Sequence, residues 1–206
     1  VWVDLTVKIK ESNLVYPGDE PLVIKKVKDT KVDGYNLNQL SLNMHLGTHL
    51  DFKNHFYSKT QNLDFTQFMG KANVIKPLVV QGVVLTSDLA KKYHEQTFQE
   101  RILILNLNHA DKFNTKSYYE EITFEPSIYH FLVENNIKIL GADLPSFSYL
   151  KETDFKMHKD LLKLDMFLLE NLTNLNELTN HVYLVALPLS IEGIEASLVR
   201  AVAKNI

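Results

Sequence analysis

SLNMHLGTHLDFKNH, residues 41–55, alternates apolar and polar positions around a central glycine. Leu42, Met44, Leu46, Leu50 and Phe52 share one parity; Ser41, Asn43, His45, Gly47, His49 and Asp51 share the other. That period of two marks a half-buried strand. A helix would instead put His45 and His49 on one face, but Gly47 and Thr48 disfavour it, and the glutamate of a zinc-protease helix is missing. A straight strand has its own difficulty, because at ~3.3 Å per residue it holds the two imidazoles about 13 Å apart. A strand bent sharply at Gly47 resolves the conflict, since glycine takes backbone angles that fold His45 back toward His49. Together with His55, three imidazoles and the Asp51 carboxylate then crowd one short stretch. Protonated rings repel one another, so such a group is most comfortable either solvated or neutral around a metal cation. The plainer alternative is a polar strand face with solvated histidines.

Outward from this segment, Val1, Val3, Leu5, Val7 and Ile9 alternate with polar or exposed-type residues and predict a first strand. VIKPLVV, RILILNL, IKILGADL and VYLVALPL are short, apolar and rich in β-branched residues, as buried strands are. SDLAKKYHEQ and EPSIYHFLVENN have helical spacing, the second with Pro126 suited to a first helical position and Ile128, Phe131 and Leu132 on one face. Many strands and few helices predict an α/β or α+β domain dominated by sheet. With no repeat or linker in 206 residues, a single domain over 1–206 is expected.

Composition narrows the function. There are no cysteines, so any transition-metal site must use His, Asp and Glu. A net charge of -3 without a lysine run gives no electrostatic reason for nucleic acid or an anionic membrane as partner. The opening VWVDLTVKIK carries Asp4, Lys8 and Lys10 where a secretory signal needs apolar residues, and no segment has the apolar length of a membrane span, so a soluble, cytoplasmic protein is expected.

A second polar cluster lies far along the chain. In MHKDLLKLDMFLLENL, His158 opens a helical pattern with Leu161 and Leu162, and Glu170 ends an apolar strand. A carboxylate there is costly unless a cation or donor meets it; the alternative is a cap or turn carboxylate, and His158 alone reads as a surface histidine.

Taken together these residues resemble the metal-dependent cyclase family, which includes bacterial kynurenine formamidases and isatin hydrolases. His45-x-Gly47-Thr48-His49-x-Asp51-x-x-x-His55 matches the family signature, and His158-x-x-Leu161-Leu162 with Glu170-Asn171-Leu172 matches its second motif. YPGD at 16–19, GADLPS at 141–146, PLSIEG at 188–193 and VRAVA at 199–203 extend the likeness over nearly the whole chain. The resemblance implies a swivelling β/β/α-type fold with mixed sheets and assembly as a homodimer or homotetramer. It also implies one metal on His45, His49 and Asp51, a second held or approached by Asp51, His158 and Glu170, and His55 free as acid and base. Three departures bear on the substrate: Lys53 replaces a common proline, FSYL lacks an aspartate common in formamidases, and Leu198 replaces a proline. Phe52, Phe56 and Tyr57 could stack on an aryl ring, although alternation assigns Phe52 to the core.

Three or more N/O ligands with an open position suit zinc or manganese in a hydrolytic centre, one or two ions per chain. The reaction expected is hydrolysis of a small amide or lactam through metal-activated water, with His55 moving the proton. The alternative is a metal-dependent binding or regulatory protein without turnover, and retention of His55 favours the enzyme.

Overall fold

Runs such as ILIL and FLLE have no polar side to offer water, so they need cover on both faces. The computed structural model describes residues 1–59, 61, 63–120 and 122–206. Its strands are β1 (Trp2–Asp4), β2 (Val23–Lys28), β3 (Leu37–Ser41), β4 (His49–Asp51), β5 (Met69–Ile75), β6 (Val79–Val80), β7 (Val83–Val84), β8 (Ile102–Leu105), β9 (Thr123–Phe124), β10 (Ile139–Ala142), β11 (Phe167–Glu170), β12 (His181–Pro188) and β13 (Ala196–Asn205). The α-helices are α1 (Thr30–Asp33), α2 (Thr86–His94), α3 (Ile128–Glu134) and α4 (Lys156–Lys163).

The main sheet runs β1-β13-β12-β5-β8-β10-β11-β4, and β4 pairs again with β13, so seven strands close into a ring with β1 attached outside. β5, β8, β10 and β11 are parallel neighbours; the remaining pairs of the ring are antiparallel. Closure gives the sheet an inside and an outside. Leu50, Phe52, Phe68, Ile104, Leu169 and Leu184 belong to the inner cluster. Alternate residues Leu103, Leu105, Leu140 and Leu168 face out and join a second cluster with Leu89 of α2, Phe131 of α3 and Leu161 of α4. Truncating such a leucine to alanine costs ~2–5 kcal/mol, so each layer is needed. The result is the mixed-sheet β/β/α arrangement expected, and no helix among the described residues is long and apolar enough to cross a membrane.

Several expectations need correction. VIKPLVV is two strands, because Pro77 cannot donate to a ladder: β5 stops at Ile75 and β6 begins at Val79. Pro126 is not the first helical residue; it sits in the preceding turn, where its carbonyl accepts from Tyr129 N at 3.2 Å, and α3 starts at Ile128. The opening alternation survives in burial, with Val3, Leu5 and Val7 inside, although the β1 ladder to β13 spans only Trp2–Asp4. β2 and β3 form a separate hairpin whose residues are exposed on both faces, apart from half-buried Lys28.

Candidate metal centre

On β4 the pleat sends Leu50 into the ring and His49 and Asp51 out of it. Register then sets their company: on the adjacent β11, Glu170 pairs with His49 and Leu168 with Asp51. The Glu170 carboxylate thus lies on the same outer face, with Oε2 3.4 Å from His49 Nε2. α4 packs over that face through Met157, Leu161 and Leu162, and His158 shares its buried side. His158 Nε2 stands 3.1 Å from Glu170 Oε1 and 3.6 Å from Asp51 Oδ2.

His45 comes from before the bend. Gly47 has φ +65°, a left-handed angle that glycine alone takes at little cost, and the chain doubles back there. His45 Nδ1 ends 3.2 Å from His49 Nε2 and 3.0 Å from Asp51 Oδ1. Tautomer and direction are fixed from behind, since His49 Nδ1 donates to the Gly47 carbonyl at 2.9 Å and leaves Nε2 facing the centre. The structure therefore brings together His45, His49, Asp51, His158 and Glu170, in two groups of potential ligands that share Asp51.

The donor set suits a divalent cation. The atoms His45 Nδ1, His49 Nε2 and Asp51 Oδ1 are mutually 3.0 to 3.2 Å apart, close to the ~3.3 Å edge of a tetrahedron with ~2.0 Å arms. Asp51 Oδ1 is nevertheless buried without a hydrogen bond; the imidazole nitrogens converge with it on a point and do not aim at it. Charge leads to the same place. Burial would raise the Asp51 carboxyl, but His45 and His49 overcome it and hold it well below the usual range. Burial opposes protonation of His49 as well, yet Asp51 and Glu170 push that ring up to about 10, and Glu170 likewise raises His158 against its burial. Buried carboxylates here draw positive charge into the site, and a metal ion supplies it without protonating the rings.

His55 is placed differently. It ends a 3₁₀ turn, Lys53–His55, outside both ligand groups, with its ring 4.4 Å from the His45 ring. Burial lowers its pKa, the charges of His45 and His158 add to that, and Asp51 opposes it. Lys53 does not put a cation into the site: its Nζ bonds Asp165 Oδ1 at 2.9 Å and the Lys163 carbonyl at 3.1 Å, tying the His55 turn to the end of α4 where a proline would have stiffened it.

A cavity of about 360 Å³ opens over these groups, with His45, Asp51, His55, His158 and Glu170 at its polar end. Four aromatic residues, Tyr16, Phe113, Tyr119 and Phe155, line part of the remainder, together with Asp19 and Glu20, and Tyr16 and Tyr119 meet edge to face at 6.0 Å. Sequence reading missed most of these aromatics. Tyr16 alone carried a signal, in the YPGD motif. The aromatics singled out near the signature lie elsewhere: Phe52 is in the inner cluster, Phe56 packs on the outer one, and Tyr57 donates to the Lys159 carbonyl.

The Cyclase family model matches residues 3–149. The chain belongs to the cyclase family. Among curated relatives, kynurenine formamidase of Bacillus cereus is 28% identical over 210 residues, covering 100% of this chain and 98% of its own, and that of Bacillus anthracis is 26% identical over 211 residues with the same coverage. Among solved structures, isatin hydrolase A from Ralstonia solanacearum superposes with TM-score 0.84 at 17% identity, over 98% of this chain and 91% of that one. An isatin hydrolase bound to the product analogue thioisatinate gives 0.81 at 21% identity, with the same coverage. These structures share the fold of this cyclase-family chain.

Proposed function

We propose that this protein hydrolyses a small amide C–N bond, either linear, as in an N-formyl arylamine such as N-formylkynurenine, or cyclic, as in a lactam such as isatin. The observation that carries the reading is one cavity with a cation-demanding floor, an unliganded histidine beside it and aromatic side chains in its lining. His45, His49 and Asp51 would hold one zinc or manganese ion, and Asp51, His158 and Glu170 a second. An ion there supplies Lewis acidity toward the amide carbonyl and toward water.

The chain's own residues do the rest. The aromatic side chains stack on the aryl ring and exclude water from the reacting end. His55, whose pKa burial lowers, accepts a proton from the attacking water as the C–O bond forms and then gives it to the departing nitrogen as the C–N bond breaks. Assembly as a homodimer or homotetramer in the cytoplasm belongs to the same reading, and the hairpin β2–β3, exposed on both faces, supports the assembly. The test is hydrolysis of N-formylkynurenine, isatin and related amides by zinc- and manganese-loaded protein. His55→Ala should keep its metal while kcat falls about 10² to 10⁴-fold, the usual worth of a positioned acid or base. Unchanged turnover refutes the proton role, and metal lost in parallel moves His55 into the coordination shell.

A further inference from the structure

The residue after Glu170 uses every polar group it has. Asn171 is buried and takes a left-handed φ of +57°, which asparagine tolerates better than most residues. Its backbone N–H donates to the Leu144 carbonyl at 2.8 Å, and its carbonyl accepts from Thr48 Oγ1 at 2.6 Å. Its side chain spans a gap: Nδ2 donates to the Gly47 carbonyl at 2.9 Å, and Oδ1 accepts from the Tyr118 hydroxyl at 2.8 Å. The orientation is forced. A carbonyl only accepts, so the amide must turn its NH₂ to Gly47, which leaves its oxygen to Tyr118 and makes the phenol the donor.

The Gly47 carbonyl is also the acceptor for His49 Nδ1. Asn171 therefore joins the strand end that carries Glu170 to the bend that aims His45 and His49. Tyr118 is well placed to hold the amide, being 1% exposed with its own carbonyl accepting from His109 Nε2 at 2.8 Å. Asp143 fixes that histidine's backbone N–H at 2.6 Å. Burial, with Asp143 and Glu170 nearby, raises the phenol far above its ordinary pKa, so it remains a donor at any working pH.

We propose that Asn171, held by the Tyr118 hydroxyl, is a positioning residue that sets the two halves of the ligand set against each other through the Gly47 carbonyl. The proposal rests on the metal reading of the site and concerns residues outside its ligand groups. Outer contacts of this kind are worth about 10- to 100-fold in metal affinity.

The experiment uses cobalt(II), whose visible absorption reports ligand geometry, and measures affinity by chelator competition in the full-length protein. Tyr118→Phe keeps the ring and deletes the donor. Asn171→Gly keeps the left-handed backbone and deletes the bridge. Tyr93→Phe is the control, since it removes the hydroxyl of an equally buried tyrosine, one that donates to the Glu100 carbonyl at 2.9 Å and has no bond to Asn171 or the ligand groups. The expected result is a 10- to 100-fold loss of cobalt affinity with an altered spectrum for Tyr118→Phe, a loss at least as large for Asn171→Gly, and the parental spectrum and affinity for Tyr93→Phe. Parental cobalt binding in Tyr118→Phe overturns the proposal, as does an equal loss in Tyr93→Phe, which would make the effect one of general stability. A parent protein that takes up no cobalt overturns the metal reading itself and this proposal with it.

Discussion

Gly47→Ala tests the bend on which the site depends. The substitution meets two costs. At φ +65° an alanine pays ~1–2 kcal/mol for the left-handed backbone. Its Cβ would also lie 2.6 Å from Ile9 Cγ2 and 3.5 Å from Val7 Cγ2; half-buried Ile9 has to move, and overpacking of this sort costs ~1–3 kcal/mol. The variant should therefore lose about 2–5 kcal/mol of the ~5–15 kcal/mol that holds a domain folded. The chain can escape only by relaxing to extended backbone, which carries His45 away from its present 3.2 Å approach to His49. Stability and the ligand set cannot both survive. Urea unfolding of the apo protein measures the first, and metal content after dialysis against zinc measures the second. A variant with the parental urea midpoint and the parental metal content would refute the account of the bend.

Asp51→Ala should lose metal and activity together, because this carboxylate belongs to both ligand groups; elemental analysis checks it, and full occupancy in the variant removes Asp51 from coordination. Asp4→Asn probes the β1–β13 edge, where burial would raise the carboxyl but Arg200, with bonds of 3.0 and 2.6 Å, lowers it. A lowered folded-state pKa gives stability that is present above the ordinary value near 3.8 and is lost as pH falls through the folded-state value. The pair is exposed, so the parent should exceed the variant by less than about 1 kcal/mol at neutral pH, with the gap in urea midpoints closing below about pH 4. A gap that does not narrow as pH falls below about 4 contradicts the assignment.

The first half of the candidate cluster was legible because His45, His49 and Asp51 stand within seven residues around a bend written as Gly47, whereas His158 and Glu170, which the structure brings beside them, stood out only as a motif more than a hundred residues away. The aromatic lining was not legible, because Tyr16, Phe113, Tyr119 and Phe155 come from separate connections and only the closed ring brings them to one cavity. The hairpin escaped for a different reason. VIKKVK and LNQLS have no buried face, so no contrast of period two marks them. The long strand β13 shows in the sequence only as VRAVA, although its burial alternates along most of its length. Within VIKPLVV the missing N–H of Pro77 by itself argues for a break.

The second partner of β4 has a consequence for biosynthesis. Residues 49–51 are held on one side by Leu168–Glu170 and on the other by Ala196–Leu198, so a nascent chain that has exposed the whole histidine motif still lacks both strands that hold it. Loop closure over that distance is slow compared with local helix formation. During translation the early imidazoles wait, unpaired and open to any ion they meet, until the far strands arrive. A pocket that could select an ion is therefore shaped only once residues 196–198 have been made.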